Sequence, residues 1–238
     1  MPRLDVLVTQ IGLAESRERA QALILAGKVR VAGETVRTPS RTVAEDAAIE
    51  VDSQPAFASR GALKLGPALE EFAVDPHGRI CADIGASTGG FTDVLLRRGA
   101  ARVYAVDVGR GIMHWRLRQD PRVVLMEKVN ARDLESFPEP ISLVVVDVSF
   151  ISLEKVLPAV RRAAPRAEVV ALFKPQFEVG RAEVGKGGIV RDQSAIDAAV
   201  DRFRDWCVSN GYSAVAQAPS QVTGAEGNRE IFFHLVPR

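Results

Sequence analysis

The stretch CADIGASTGGFTDVLL (residues 81–96) runs from an apolar segment through a glycine-rich turn into a helical pattern. Apolar residues lead into Asp83, the turn extends from Gly85 to Gly90, and the helical spacing begins at Phe91. A strand, a tight glycine turn and a helix in this order are typical of α/β sheets that bind a nucleotide beyond the carboxyl end of the strand. The stretch therefore predicts an α/β fold with a ligand at this turn.

The turn departs from the dinucleotide pattern Gly-x-Gly-x-x-Gly, because Ser87 occupies the place of the central glycine, which disfavours NAD. Asp83 precedes the turn, and Asp107 ends the next predicted strand, near the spacing at which an acidic residue binds ribose hydroxyls. A carboxylate at Asp83 suits an amine better than a phosphate, so the pair favours S-adenosylmethionine, an adenosine joined to an amino acid. The alternative is that the glycines only permit close packing of strand and helix. The candidate cofactor-binding residues are Asp83, Gly85, Ala86, Ser87, Thr88, Gly89, Gly90 and Asp107.

Apolar strand-like runs alternate with helical patterns from residue 59 onward. Strands are expected at RICADIG, RVYAVDVG, VVLME, ISLVVVDVSF, EVVALFKP, YSAVAQAPS and EIFFHLV. Helices are expected at about 91–99, 112–118, 152–163 and 194–209. This alternation favours a doubly wound, mostly parallel, Rossmann-like sheet, in which ligands bind at the carboxyl ends of the strands.

Residues 1–52 have a different pattern, that of a small α+β module. Ser16 is a good N-cap for a helix that ends at Gly27, and a hairpin signal around Ala32-Gly33 precedes the strand AAIEV. Residues 1–41 carry seven Lys/Arg against four Asp/Glu, which is compatible with phosphate contacts or simply with a solvated surface. Residues 53–58, SQPAFA, are predicted to link this module to a second domain at 59–238.

Four ionisable residues indicate a reaction. Asp147, Lys174 and Glu230 stand at the ends of predicted apolar strands, and Lys64 lies on the helix that precedes the sheet. A charge at the end of an apolar strand is costly to bury unless it is paired, although each alone would more simply be a surface charge. Three such positions and Lys64 together predict a cluster at one edge of the sheet.

These motifs resemble a known family. SRGALKL, DIGASTGGFTD, VVVDVSFISL, FKPQFE, GKGGIVRD and GNREIFF are similar to the TlyA family, also labelled hemolysin A, which joins an S4 RNA-binding domain to an FtsJ/RrmJ-like methyltransferase domain. The resemblance implies a class I methyltransferase sheet with an antiparallel last strand, S-adenosylmethionine as cofactor, and ribosomal RNA or ribosomal subunits as partner. It implies that Lys64, Asp147, Lys174 and Glu230 form a catalytic tetrad that methylates a ribose 2′-hydroxyl. It also places Asn130 near the adenine, although the neighbours of Asn130 suggest a helix start.

The resemblance further implies an RNA-binding surface in the first domain. The matching basic residues of the first domain are Arg3, Arg17, Arg19, Lys28, Arg30 and Arg41. The polar, glycine-rich segment 176–192 is interpreted as a loop over the active site, from which Lys186 and Arg191 would contact RNA, as would Arg60; the alternative for the loop is a disordered surface segment. Such side chains would neutralise phosphates and make binding sensitive to salt.

Other functions are less well supported. A methyltransferase acting on another RNA position would more often carry an Asn/Asp-Pro-Pro-aromatic motif, and a non-catalytic RNA-binding protein would not need the tetrad. A pore-forming hemolysin needs membrane-competent segments, and the sequence has no apolar run near 18–20 residues and no signal peptide. Cys81 and Cys207 lack metal-ligand spacing, so no metal is expected, and buried thiols favour a cytoplasmic protein.

Overall fold

The computed structural model describes residues 1–14, 16–51, 58–59, 61–224 and 227–238. The chain divides into two compact units, Met1–Phe57 and Ala58–Arg238. Residues 53–57 of the predicted linker and Arg60 lie outside the described residues. Each unit has its own hydrophobic core.

The first unit is a small α+β domain. Its helices are α1 (Leu4–Gln10) and α2 (Arg17–Leu25), and its strands are β1 (Val29–Val31), β2 (Glu34–Val36) and β3 (Ile49–Val51). The sheet order is β2-β1-β3, and both pairs are antiparallel. Ser16 caps α2 by accepting a hydrogen bond from the Arg19 N–H, as its position in the sequence predicts. The buried core contains Leu4, Val8, Ala20, Ile24 and Val29.

The second unit is built on a seven-stranded sheet of order β6-β5-β4-β7-β8-β10-β9. Its strands are β4 (Ile80–Ile84), β5 (Arg102–Asp107), β6 (Val123–Glu127), β7 (Leu143–Val146), β8 (Glu168–Phe173), β9 (Tyr212–Pro219) and β10 (Ile231–Pro237). Strands β4 to β8 pair in parallel, whereas β10 runs antiparallel to both β8 and β9. All seven expected strands are present, and the mostly parallel sheet with an antiparallel last strand is confirmed.

Among the described residues of the second unit, six helices follow the strands or precede the sheet. They are α3 (Ala62–Glu71), α4 (Gly90–Arg97), α5 (Trp115–Arg118), α6 (Leu157–Ala163), α7 (Pro175–Glu178) and α8 (Gln193–Ser209). Short 3-10 turns lie at Ala131–Asp133, Leu153–Lys155 and Arg181–Glu183. The segment 176–192, expected to be a loop, therefore begins inside α7 and contains one 3-10 turn.

The register of the sheet brings the predicted site residues to one edge. Asp107 is the last residue of β5, Asp147 directly follows β7, and Lys174 directly follows β8. Glu230 directly precedes β10, and because β10 is antiparallel its first residue, Ile231, pairs with Phe173 at the end of β8. The carboxyl ends of the parallel strands and the beginning of β10 therefore meet at the same edge.

Candidate active site

Two lysine–carboxylate pairs lie at this edge of the sheet. Lys64 Nζ on α3 lies 2.6 Å from Glu230 Oε2, and both side chains are nearly buried, at 12% and 3% exposed. Lys174 Nζ lies 2.6 Å from Asp147 Oδ1 and donates a hydrogen bond to Ser149 Oγ at 3.0 Å. Each buried charge thus has an opposite charge as its neighbour, which offsets the cost of removing it from water.

Three adjoining cavities surround the pairs. The first, of about 290 Å³, is lined by the glycine turn together with Lys64 and Asp147. The second, of about 300 Å³, extends from the same turn past Asp107 and Asn130. The third, of about 350 Å³, is lined by Lys64, Lys174 and Glu230. Asp147 belongs to the first two cavities and Lys64 to the first and third, so the lysine–carboxylate pairs stand where the cavities meet.

Most of the candidate cofactor-binding residues lie on the walls of the first two cavities. Those that do so are Gly85, Ala86, Ser87, Thr88, Gly90, Asp107 and Asn130. Asp83 and Gly89 do not line either cavity in the part of the chain that the structure describes. At Gly89 a side chain would meet Leu117 Cδ1 at 2.3 Å, so this glycine permits the close approach of α4 and α5.

Gly85 allows the turn to pass against the end of β7. Its φ is +85°, and a Cβ at this position would lie 2.3 Å from the carbonyl oxygen of Asp147. Because Gly85 has no side chain, the backbone of the turn, which forms the wall of the first two cavities, can contact the backbone of Asp147 directly. The glycine-rich turn thereby positions Asp147 as well as the cavity.

Asp107 and Asn130 shape the second cavity. The carboxylate of Asp107 accepts hydrogen bonds from the N–H of Ser87 at 2.8 Å and from the N–H of Gly109 at 2.7 Å. A carboxylate has about four lone-pair sites, so it can still accept from a ligand hydroxyl. Asn130 lines the cavity and also caps the 3-10 turn at 131–133, in line with the helix start that its neighbours suggested.

Asp83 lies beneath the turn. Its side chain is fully buried, and one oxygen accepts a hydrogen bond from Thr92 Oγ1 at 2.7 Å. Burial raises the pKa of this carboxyl to about 7, and the neighbouring Asp147 and Asp107 charges act in the same direction. The placement differs from the expected ligand contact because an apolar strand carries Asp83 into the interior before the chain turns.

Several residues of the third cavity were missed by sequence analysis. Ser149 and Phe150 follow Asp147, and Phe150 is 91% exposed with a φ of +63°, an uncommon backbone conformation for a non-glycine residue. Gln176 and Phe177 belong to α7, directly after Lys174. The rings of Phe150 and Phe177 lie 5.3 Å apart. Their proximity in sequence to Asp147 and Lys174 was the available signal.

Two of the predicted RNA-binding residues are held by a buried carboxylate. Arg3 donates two hydrogen bonds of 3.0 Å to Asp5, and Arg17 donates another at 3.0 Å, while Gln21 donates at 2.8 Å. These donors, led by Arg3, hold the pKa of Asp5 well below its usual range. The Arg3 and Arg17 side chains are still 43% and 51% exposed, so their guanidinium groups are oriented but accessible.

The other predicted RNA-binding residues are dispersed. Those in the first unit, all exposed, are Arg19, Lys28, Arg30 and Arg41. Lys186 and Arg191 are exposed in the glycine-rich segment after α7. Asn228 fixes this segment, since its side chain accepts from the Val190 N–H and donates to the Gly188 carbonyl, at 3.0 and 2.8 Å. Arg60 lies outside the described residues.

Comparison with known proteins agrees with this geometry. Residues 57–236 match the FtsJ-like methyltransferase family, and residues 2–49 match the S4 domain. The chain belongs to the FtsJ-like methyltransferase family. The resemblance that the motifs suggested, an S4 domain followed by an FtsJ-like domain, is thereby confirmed along nearly the whole chain.

Relatives that match nearly the whole chain carry two kinds of name. A protein of Mycobacterium tuberculosis named 16S/23S rRNA (cytidine-2′-O)-methyltransferase TlyA is 48% identical, over 98% of this chain and 89% of its own length. A protein of Brachyspira hyodysenteriae named Hemolysin A is 42% identical, over 98% of this chain and 99% of its own length. No helix among the described residues is long and apolar enough to cross a membrane.

Solved structures extend the FtsJ-like comparison. A hemolysin-named protein from Streptococcus thermophilus is 41% identical, with a TM-score of 0.74 over 99% of this chain and 88% of that one. A magnesium protoporphyrin IX methyltransferase from Synechocystis is 13% identical, with a TM-score of 0.51 over 79% of this chain and 90% of that one. The second likeness shows the fold alone.

Proposed function

We propose that this protein transfers the methyl group of S-adenosylmethionine to a ribose 2′-hydroxyl of ribosomal RNA. The observation that carries the proposal is the position of the two pairs, Lys64–Glu230 and Lys174–Asp147, where the cavities meet. S-adenosylmethionine bound in the first two cavities and an RNA ribose bound in the third cavity would approach each other at these lysines. The TlyA relative, 48% identical over nearly the full chain, bears the name of this reaction.

The first two cavities fit the proposed cofactor. The second is lined by Asp107 and by the apolar side chains Val108 and Ile112, which suits a ribose and an adenine face. The first contains the carboxylate of Asp147, which suits a cationic sulfonium and amine. Asp83 would act through the turn that it supports rather than by direct contact. When bound, the cofactor supplies a methyl group on a positively charged sulfur.

The lysines would position the acceptor. Lys174 has three N–H donors: it donates one hydrogen bond to Ser149 and forms an ion pair with Asp147, and a remaining donor is available to hold the ribose oxygen. A lone pair of that oxygen is thereby directed toward the methyl group, which is the larger part of the catalytic task for a poor nucleophile. Asp147 offers a carboxylate that can accept the departing proton. Glu230 orients Lys64, which lies on the wall shared by the first and third cavities.

The first unit would supply RNA affinity. Residues 2–49 match the S4 domain, and arginines held by Asp5 would present oriented donors to phosphates. We assign RNA capture to residues 1–52 and chemistry to residues 59–238, joined by residues 53–58. A ribosomal substrate also supports a cytoplasmic location.

The test is a methyl-transfer assay with purified protein, labelled S-adenosylmethionine and isolated ribosomal subunits that lack the modification. Digestion followed by mass mapping would identify the nucleotide, and alkaline hydrolysis would separate the two chemistries, because a 2′-O-methyl group blocks cleavage at its own phosphodiester. We expect label in an alkali-resistant dinucleotide. Label on a base, or no transfer to either subunit, would contradict the proposal.

A further inference from the structure

The third cavity contains a polar group that the proposed chemistry does not use. The side-chain oxygen of Gln176, Oε1, is buried and has no hydrogen-bond partner among the described residues. A buried acceptor without a donor costs free energy, and such groups in native proteins call for a specific explanation. Because Gln176 lines the third cavity, in which the RNA ribose is proposed to bind, a hydrogen-bond donor on the RNA is the natural partner of its oxygen.

The walls of this cavity suit a nucleobase. Phe177 and Phe150 line it with rings 5.3 Å apart, and aromatic faces stack on bases of any sequence. Lys64 and Lys174 line the same cavity. A ribose whose 2′-hydroxyl reaches these lysines therefore carries its own base into the space that Gln176 borders.

Gln176 and Lys174 are held by one short turn. Lys174 is the N-cap of α7, Pro175 is its first residue, and the Phe177 N–H donates to the Lys174 carbonyl at 2.9 Å. Proline at this position presets the backbone for a helix start. The backbone spacing between Lys174 and Gln176 is therefore fixed by local structure, and both side chains line the third cavity, so a base contacted by one can belong to the nucleotide whose hydroxyl the other holds.

We infer that Gln176 determines base specificity by accepting a hydrogen bond from the exocyclic amino group of the target base, a group that cytosine has and uracil lacks. The inference rests on the proposed function. In the orientation that the Gln176 amide has here, uracil would place a carbonyl oxygen against Oε1, so two acceptors would face each other, and pairing with uracil would require the amide to turn. Phe177 and Phe150 would accept either pyrimidine, which leaves the discrimination to the amide of Gln176.

The experiment compares two RNA substrates after the methylated nucleotide has been mapped with wild-type protein. Ribosomal subunits are prepared with cytidine or uridine at that position, and single-turnover rates are measured. We expect the wild type to prefer cytidine by roughly tenfold to hundredfold. Gln176→Met, which keeps the length of the side chain without its acceptor, is expected to bring the ratio close to one by slowing the reaction of cytidine.

Two further variants separate recognition from folding. Gln176→Glu keeps an acceptor, so it should retain the preference for cytidine even if its rates fall. Gln193→Met, an exposed position on α8, is the matched control and should leave both rates unchanged. A merely structural role of Gln176 would lower both rates equally and leave the ratio intact.

The outcomes distinguish this inference from the proposed function. If the wild type methylates no ribosomal RNA ribose, the proposed function fails and the inference fails with it. If the wild type is active but methylates uridine as fast as cytidine, or if folded Gln176→Met keeps the wild-type ratio, the inference alone fails. Should Gln176→Met not fold, loss of the cytidine preference in Gln176→Glu overturns it.

Discussion

Lys64 Nζ and Glu230 Oε2 lie 2.6 Å apart although 166 residues separate them in the chain. The pair joins the helix that precedes the sheet to the beginning of its antiparallel strand. Glu230→Gln removes the charge that holds the Lys64 ammonium while keeping the shape of the side chain. We expect ribose methylation to fall by about 100-fold in single-turnover assays, since the ammonium loses its fixed direction.

The control for this variant is Glu70→Gln. Glu70 pairs with Arg98 at the surface, where the Glu70 side chain is 70% exposed. Exposed pairs contribute little, so this variant should keep wild-type activity and change the free energy of unfolding by less than about 1 kcal/mol. Equal activity of Glu230→Gln and Glu70→Gln would contradict a role for the buried pair.

Lys174→Ala should abolish methyl transfer without weakening cofactor binding. In the proposed mechanism the ammonium of Lys174 holds the ribose oxygen in the third cavity, and Lys174 does not line the two cavities assigned to the cofactor. Calorimetric titration with S-adenosylhomocysteine measures the second property. Lys155→Ala, at an exposed position in a 3-10 turn, is the matched control. Measurable methylation by Lys174→Ala at more than a few per cent of the wild-type rate would be incompatible with the assigned role.

Gly85→Ala tests the contact between the glycine turn and the end of β7. The new Cβ would meet the Asp147 carbonyl oxygen at 2.3 Å, whereas at Gly78, which also has a positive φ, no atom lies within 4 Å. Gly78→Ala should therefore cost only the backbone term, about 1 kcal/mol. Gly85→Ala should cost about 2 kcal/mol more and lower cofactor affinity, as measured by denaturant unfolding and calorimetry. Similar costs at both positions would argue against the steric explanation.

Asp83→Asn should alter the pH dependence of stability. Because burial raises the pKa of Asp83 to about 7, the folded protein binds a proton that the unfolded chain releases from about pH 4 upward. Stability from this group is thus complete below about pH 4 and declines as the pH rises to about 7. Asparagine resembles the protonated carboxyl, so the variant should gain stability relative to wild type at neutral pH, by at most about 4 kcal/mol. A constant difference from about pH 5 to about pH 8 would show that Asp83 does not titrate in this range.

Asp5→Asn should change the pH dependence of stability in the opposite direction, and it should also weaken RNA binding. Its pKa is lowered mainly by Arg3, so the stability that it contributes is present above the unfolded pKa and is lost as the pH falls. The asparagine variant should lose stability at neutral pH and show a flatter acid limb in thermal unfolding. Arg3 and Arg17 also lose their anchor, so RNA affinity in filter binding should fall, and the salt dependence should change with it. Unchanged affinity would mean that these arginines do not contact RNA.

The strands, the sheet class and the two domains were predictable because each depends on local patterns. Buried strands such as β7 read as continuous apolar runs, and a strand that ends in Asp147 or Lys174 must place that charge at the edge of a parallel sheet. The family resemblance added the antiparallel direction of β10, which alternation alone does not specify.

How deeply each side chain is buried was not predictable from the sequence. Asp83 and Asp107 both end apolar runs, yet one is buried beneath the turn and the other lines a cavity. The difference depends on where the sheet is covered by helices, which is a tertiary property. The exposure of Phe150 and the burial of the Gln176 oxygen are also tertiary properties. No periodicity in the sequence distinguishes an aromatic side chain at a cavity mouth from one in the core.

The place of β10 in the sheet has a consequence for how the enzyme is assembled. β10 lies between β8 and β9, although it is synthesised after both, and β9 has no other neighbour in the sheet. While a nascent chain has not yet supplied residues 231–237, Glu230 has no fixed place opposite Lys64 and β9 has no partner. The proposed catalytic arrangement therefore depends on β10, and it can form only after residues 230–237 have left the ribosome that made them.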